Sequence, residues 1–230
     1  MTRRAVIFDM DGVLIDSYDA HLKSWMRMAQ NRGLEMTEEM FASSFGQTNR
    51  TIIPQHWPEC DNPSTIRDIS DEKEAAFREI LHESFPEMPG AGDLLRRLGE
   101  AGFALAVGSS GPTENVQAVL EELPHAELIS ARVTGSDVSH GKPHPEVFLA
   151  AAEKLRIAPE DCLVVEDAAA GVEAARRAGM ACIALTGTTS AEVLEQRGAH
   201  RVVDSLEVIT PAGVTRTIDE NKAQISKESQ

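Results

Sequence analysis

Ala5-Val6-Ile7-Phe8-Asp9-Met10-Asp11-Gly12 is the stretch whose reading decides the fold. Its apolar run is too short for a helix and rich in β-branched and aromatic side chains, which predicts a fully buried strand. The strand ends in two acids one residue apart, then a glycine. A buried parallel strand presents chemistry only where it leaves the sheet, at its carboxyl end. Residues i and i+2 of an extended segment point the same way, so both carboxylates can face one ligand. Gly12 permits a sharp departure of the backbone. Three readings suit the pattern: a turn held by Asx hydrogen bonds, a hard-metal site, or a nucleophile beside a general acid.

The chain of 230 residues is long enough for one large domain, or a domain with an insertion. Hydrophobic residues make up 42% and charged ones 26%, an ordinary globular composition. A net charge of −15 argues against nucleic acid or an anionic membrane as partner, since both require a basic surface. A small phosphorylated molecule needs only a local cation and stays open. No apolar run approaches the roughly 18 residues of a membrane span. Met1-Thr2-Arg3-Arg4 leads straight into the first strand without a secretory h-region. Cys60, Cys162 and Cys182 are unclustered and suggest neither a disulfide framework nor a zinc site. The expected location is the cytoplasm.

After Gly12, Asp16-Ser17 are expected to cap a helix running to Asn31-Arg32-Gly33. Further helices are expected at Glu38–Ser44, Arg50–His56 and Ser70–Ser84, with breaks near Gly46, Pro54, Pro58 and Pro63. Residues 17–87 thus form an all-helical insertion, a lid or cap. Beyond Pro89-Gly90 the pattern alternates: strands at 103–107, around 128–133, and at 162–165, 181–185 and 201–203, separated by helices. This predicts an α/β fold whose parallel sheet carries helices on both faces, built from residues 1–16 and 88–210. From Pro211 the chain turns polar and aperiodic, so 211–230 is expected to be a flexible tail.

Three strands end in reactive groups: Asp9 and Asp11, then Ser109, then Glu166 and Asp167. Lys142 enters from the loop before the last of these strands, between Gly141 and Pro143. In a right-handed parallel sheet all these carboxyl ends share one edge. Four acids against one lysine repel one another unless a divalent cation joins them. An all-oxygen set suits Mg²⁺, with Asp9, Asp11, Asp167 and Glu166 as ligands, Glu166 either directly or through water. With a serine, a lysine and backbone N–H groups nearby, the site can hold a phosphoryl group. Asp9 is then the nucleophile and Asp11 the acid that protonates the leaving oxygen and later deprotonates water. Ser109 and Lys142 hold the phosphoryl oxygens. The bland alternatives are a helix-capping role for Ser109 and a solvated charge for Lys142. His140 and His144 are read as loop residues without partners.

The ordered segments Phe8–Ser17, Gly108-Ser109-Ser110, Gly141–Phe148 and Val165–Gly171 resemble the haloacid dehalogenase superfamily. They are most similar to its phosphoglycolate phosphatase and β-phosphoglucomutase-like subgroup. The resemblance implies a Rossmann-like core with a helical cap inserted after the first motif. It adds Ser110 to the phosphate-binding residues. It also implies cap residues that contact substrate, His21, Arg50 and Lys73, with Arg50 one residue later than in β-phosphoglucomutase. The second acid, Asp11, favours phosphoryl transfer over carbon–halogen or carbon–phosphorus cleavage. The implied activity is Mg²⁺-dependent hydrolysis of a small phosphorylated metabolite, of sugar phosphate or phosphoglycolate type, through an aspartyl phosphate. A phosphosugar mutase is the alternative, and a phosphoaspartate receiver or a silent interaction module stands behind it.

Overall fold

The computed structural model describes residues 3–228, so residues 1–2 and 229–230, included above in the expected core and tail, lie outside the described residues. Six strands, β1 (Ala5–Phe8), β2 (Ala104–Gly108), β3 (Ile129–Val133), β4 (Cys162–Glu166), β5 (Ala181–Leu185) and β6 (Arg201–Val203), form one sheet in the order β3-β2-β1-β4-β5-β6. Every pairing is parallel. β1 is fully buried and lies between β2 and β4, with Phe8 level with Val107 on one side and Val165 on the other. The strand order reverses beside β1, and open parallel sheets place ligands at such a reversal.

The chain divides into two compact units, Met1–Asp16 with Glu87–Gln230, and Ser17–Pro86. The second is helical: α1 (Tyr18–Asn31), α2 (Glu38–Ser44), α3 (Asn49–His56) and α4 (Pro63–Glu83). It has its own core of Trp25, Met28, Phe41, Ile52, Ile53, Trp57 and Ile69. α4 starts seven residues before the sequence pattern suggests. Pro63 sits in its first turn, where a missing N–H costs nothing, and the Asn62 side chain accepts from Thr65 N at 2.9 Å. Ser17 precedes α1 but its side chain makes no capping bond; it already has helical backbone angles, and its carbonyl accepts from His21 N.

In the sheet unit, α5 (Ala91–Glu100), α6 (Thr113–Glu122), α7 (Glu146–Leu155), α8 (Ala169–Arg177), α9 (Ala191–Gln196) and α10 (Pro211–Glu228) complete the fold. Ile7, Ala106, Val164 and Cys182 pack in one core with Val147 and Phe148 of α7 and Val172 and Ala175 of α8. Alternation turns Phe8, Val107 and Val165 to the other face. α10 packs on β4 and β5 and α5 on β2.

α10 corrects the expected flexible tail over its described part. Val214, Thr217, Ile218 and Asn221 form a buried stripe at helical spacing. Two of the four are polar, which hides the stripe from a hydropathy reading. Thr217 satisfies its hydroxyl on Gly213 O at 3.0 Å, and Asn221 donates to Gly179 O at 3.1 Å. Arg4 pairs with Asp219, and Lys222 with Asp161 at 2.8 Å. Among the described residues, no helix is long and apolar enough to cross a membrane.

Candidate active site

β1 and β4 deliver their terminal acids side by side, because Asp9 continues the ladder by donating its N–H to Val165 O at 2.9 Å. Carboxylate oxygens of Asp9, Glu166 and Asp167 lie within 4.8 Å of one another, and all three residues are buried. Lys142 Nζ reaches into this group, 2.9 Å from Asp9 Oδ1 and 2.7 Å from Glu166 Oε1. Its Nζ lies over Phe148, 4.8 Å from the ring centre. Lys142 is therefore a buried counter-ion and not a solvated charge.

Glu166 is the most constrained of the acids. Its Oε1 accepts from Lys142, while Oε2 accepts from the N–H groups of Asp167 and Ala168 at 2.7 and 2.6 Å. A side chain at Gly171, in the first turn of α8, would place Cβ 1.6 Å from Glu166 Oε1. Helix and carboxylate can approach so closely only over glycine. With both oxygens engaged, Glu166 is better placed to orient Lys142 and the Asp167 turn than to bind a cation directly.

Asp167 is held from the opposite side by Thr188, whose hydroxyl donates to Oδ2 at 2.6 Å. Sequence reasoning missed Thr188, although the rule that singles out Asp9 and Asp167 also covers the polar run after β5. Gly12 has φ +72°, and a Cβ there would lie 2.1 Å from Asp167 Oδ2, so the first-motif glycine makes room for the last-motif acid. Asp11 is partly buried, and its charge acts on Asp167. Ser109 is buried at the end of β2, where its hydroxyl accepts from Gly111 N at 3.0 Å. Pro112, not Ser109, precedes α6, so the capping alternative falls. Ser110, next along, is exposed.

The electrostatics follow from the Lys142 ammonium set among several acids. Burial, then the charges of Glu166 and Asp167, push Asp9 well above the usual carboxylate range, against the pull of Lys142. Asp167 is pushed up to about 7, first by burial and then by Glu166, with the Thr188 hydrogen bond opposing. Burial alone would lower the Lys142 ammonium, but Asp9 and Glu166 overcome it and hold it above the ordinary lysine value. The site is thus short of positive charge. Its donors are carboxylate oxygens, which suit a hard divalent ion of the Mg²⁺ kind.

Within the helical unit, His21 and Lys73 meet, with Nζ 2.9 Å from Nδ1. An ammonium only donates, so Nδ1 accepts and the ring proton belongs on Nε2. His21 stacks on Phe77, their centres 4.1 Å apart and planes 9° from parallel. Lys73 is buried and also bonds Glu74 Oε1 at 3.0 Å, which accepts from Asn49 at 2.8 Å. Arg50, the neighbour of Asn49, is exposed. Glu74 carries no motif signal and escaped the sequence reading. His140 and His144 are not without partners as expected: both face Glu146. Cys162 and Cys182 are buried, and burial pushes the Cys162 thiol up to about 12, so neither is a reactive thiolate.

The haloacid dehalogenase-like hydrolase family matches residues 6–185. The chain belongs to that family and is an enzyme. It is 31% identical over 199 residues to the validoxylamine A 7'-phosphate phosphatase of Streptomyces hygroscopicus subsp. limoneus, covering 84% of this chain and 90% of that protein. It is 29% identical over 184 residues to the β-phosphoglucomutase of Bacillus subtilis, covering 77% and 80%. Among solved structures, CbbY from Rhodobacter sphaeroides in complex with phosphate superposes with a TM-score of 0.83 at 27% identity, over 93% of this chain and 100% of that one.

Proposed function

We propose that this chain is a Mg²⁺-dependent phosphatase that hydrolyses a small phosphorylated carbohydrate-type metabolite in the cytoplasm. It is a phosphomonoester hydrolase of the haloacid dehalogenase-like family. The observation that carries the reading is the buried group Asp9, Glu166 and Asp167 with the Lys142 ammonium between Asp9 and Glu166. Such a group has the donors for a hard cation and the charge deficit that a cation relieves.

Asp9, Asp11 and Asp167 would hold the ion, with Glu166 reaching it through water. When bound, it supplies charge neutralisation between carboxylate and phosphate. The chain's own residues divide the chemistry. An Asp9 oxygen attacks phosphorus in line, the bond to the ester oxygen breaks, and Asp11 gives that oxygen its proton. Asp11 then takes a proton from water, which attacks the aspartyl phosphate; inorganic phosphate leaves and Asp9 is restored. Lys142 and Ser109, with the backbone at Ser110, hold the non-bridging oxygens. Glu166 keeps Lys142 in place. Residues 17–86 act as the cap, with His21, Lys73 and Arg50 selecting the part of the substrate beyond its phosphate.

The test is a panel of phosphorylated sugars, sugar alcohols and phosphoglycolate assayed for phosphate release with and without Mg²⁺. Release that requires Mg²⁺ and is lost in Asp9→Asn supports the reading. The likeness to a β-phosphoglucomutase keeps one alternative in view. An isomeric sugar phosphate formed without inorganic phosphate would replace hydrolysis by internal transfer.

A further inference from the structure

The segment that carries Lys142 has a second group of ligating side chains on its outer side. His140 and His144 are exposed, and Glu146 at the start of α7 is half-buried. The Nδ1 atoms of both histidines converge on one oxygen, Glu146 Oε2, at 2.9 and 3.7 Å. The two rings lie 4.6 Å apart, tilted by 36°. All three ligand atoms fall within 4.8 Å of one another. Tetrahedral zinc, with bonds of about 2.0–2.1 Å, sets its ligand atoms about 3.4 Å apart, so the two measured separations straddle the required value.

The carboxylate is fixed from behind. Glu146 Oε1 accepts from Ser139 N at 2.8 Å, and Oε2 accepts from His140 N at 3.0 Å. These bonds aim the ligand, as outer-shell donors do in metal sites, and hold its carboxyl below the usual range. Exposure of both imidazoles gives an ion a path in and leaves the fourth position to water.

We propose that His140, His144 and Glu146 form a second cation site, selective for a borderline ion of the Zn²⁺ type over Mg²⁺. Two imidazoles and one carboxylate suit zinc, whereas Mg²⁺ favours oxygen donors. On loading, the His140 Nδ1 proton that now faces Glu146 is given up, a proton is held on Nε2 (taken from solvent where the ring starts neutral), and the neutral imidazole binds the metal through the freed Nδ1 lone pair. The site ties together residues on either side of Lys142 and stiffens that segment.

The test is titration of the full chain with Zn²⁺ in excess Mg²⁺, which keeps the acidic cluster occupied, together with Co²⁺ absorption as a geometry probe. The wild type is expected to bind one Zn²⁺ and to give the intense visible bands of tetrahedral Co²⁺. Each of His140→Ala and His144→Ala is expected to weaken Zn²⁺ by about tenfold or more, and the double variant to lose the Co²⁺ bands. Circular dichroism and phosphatase activity without zinc check that the surface variants fold. Unchanged Zn²⁺ affinity in the double variant, or binding that Mg²⁺ displaces, would overturn the proposal.

Discussion

Each unit of this protein buries a lysine, and the two are used differently. Lys142, in the sheet unit, faces Asp9 and Glu166 with Asp167 close by, so negative charge exceeds positive. Lys73, in the helical unit, lies 5.7 Å from the Trp25 ring centre and 5.2 Å from that of Phe77, and meets the Glu74 carboxylate and the imidazole of His21. The first arrangement leaves more acid than the Lys142 ammonium offsets. The second is lined by aromatic faces and a neighbouring carboxylate, and it orients a histidine. The surplus of acid around Lys142 is what the proposed metal would offset; the contacts of Lys73 present a side chain.

The comparison breaks most sharply at Asp9. Asp9→Asn keeps the shape and removes the nucleophile, and is expected to lower phosphate release by about 10⁴-fold or more in a steady-state assay. Activity within tenfold of wild type would end the nucleophile assignment. Lys142→Met strands two buried carboxylates and is expected to cost about 3–5 kcal/mol in urea unfolding, with part restored by Mg²⁺. Lys73→Met should cost about 1–3 kcal/mol, since His21 and Glu74 each lose a bond, Glu74 keeps the one from Asn49, and the aromatic walls accept the thioether. Its effect on turnover should depend on which sugar phosphate is offered, whereas that of Lys142→Met should not. Equal losses in the two variants would remove the distinction.

Metal binding sharpens the same contrast. Asp167 keeps its proton up to about pH 7, whereas an unfolded aspartate loses it near 4. The folded state therefore binds more protons across that window, and apo stability falls as pH rises from about 4 to 7. A cation must displace that proton, so the rise in Tm with Mg²⁺ should grow through pH 7 and level off above it. Thr188→Val removes the hydrogen bond that favours the charged Asp167. It should weaken Mg²⁺ by about tenfold and shift the pH dependence upward, while Thr188→Ser keeps both near wild type. Calorimetric titration at several pH values measures both effects.

The sheet unit is legible because strand ends and glycines constrain one another. Gly12 and Gly171 each face a site carboxylate that a larger residue would displace. Motif residues many positions apart thus point to one edge, and the parallel sheet brings Asp9, Glu166 and Asp167 there. Thr188 was not legible because a hydroxyl in a Gly-Thr-Thr-Ser run has no distinctive pattern; only the neighbouring β4 and β5 reveal its partner. α10 was hidden by Thr217 and Asn221, polar residues on its buried face. The links from Lys73 through Glu74 to Asn49 depend on how α4 packs on α3, which residue spacing within either helix does not encode.

In the proposed reaction an Asp9 carboxylate oxygen takes the phosphoryl group. Rapid acid quenching during turnover, followed by peptide mass spectrometry, reads this directly. The expected result is a phosphoryl group on the peptide containing Asp9, formed as fast as product appears and absent from Asp9→Asn. Turnover with no adduct on that peptide, or an adduct on another residue, contradicts it.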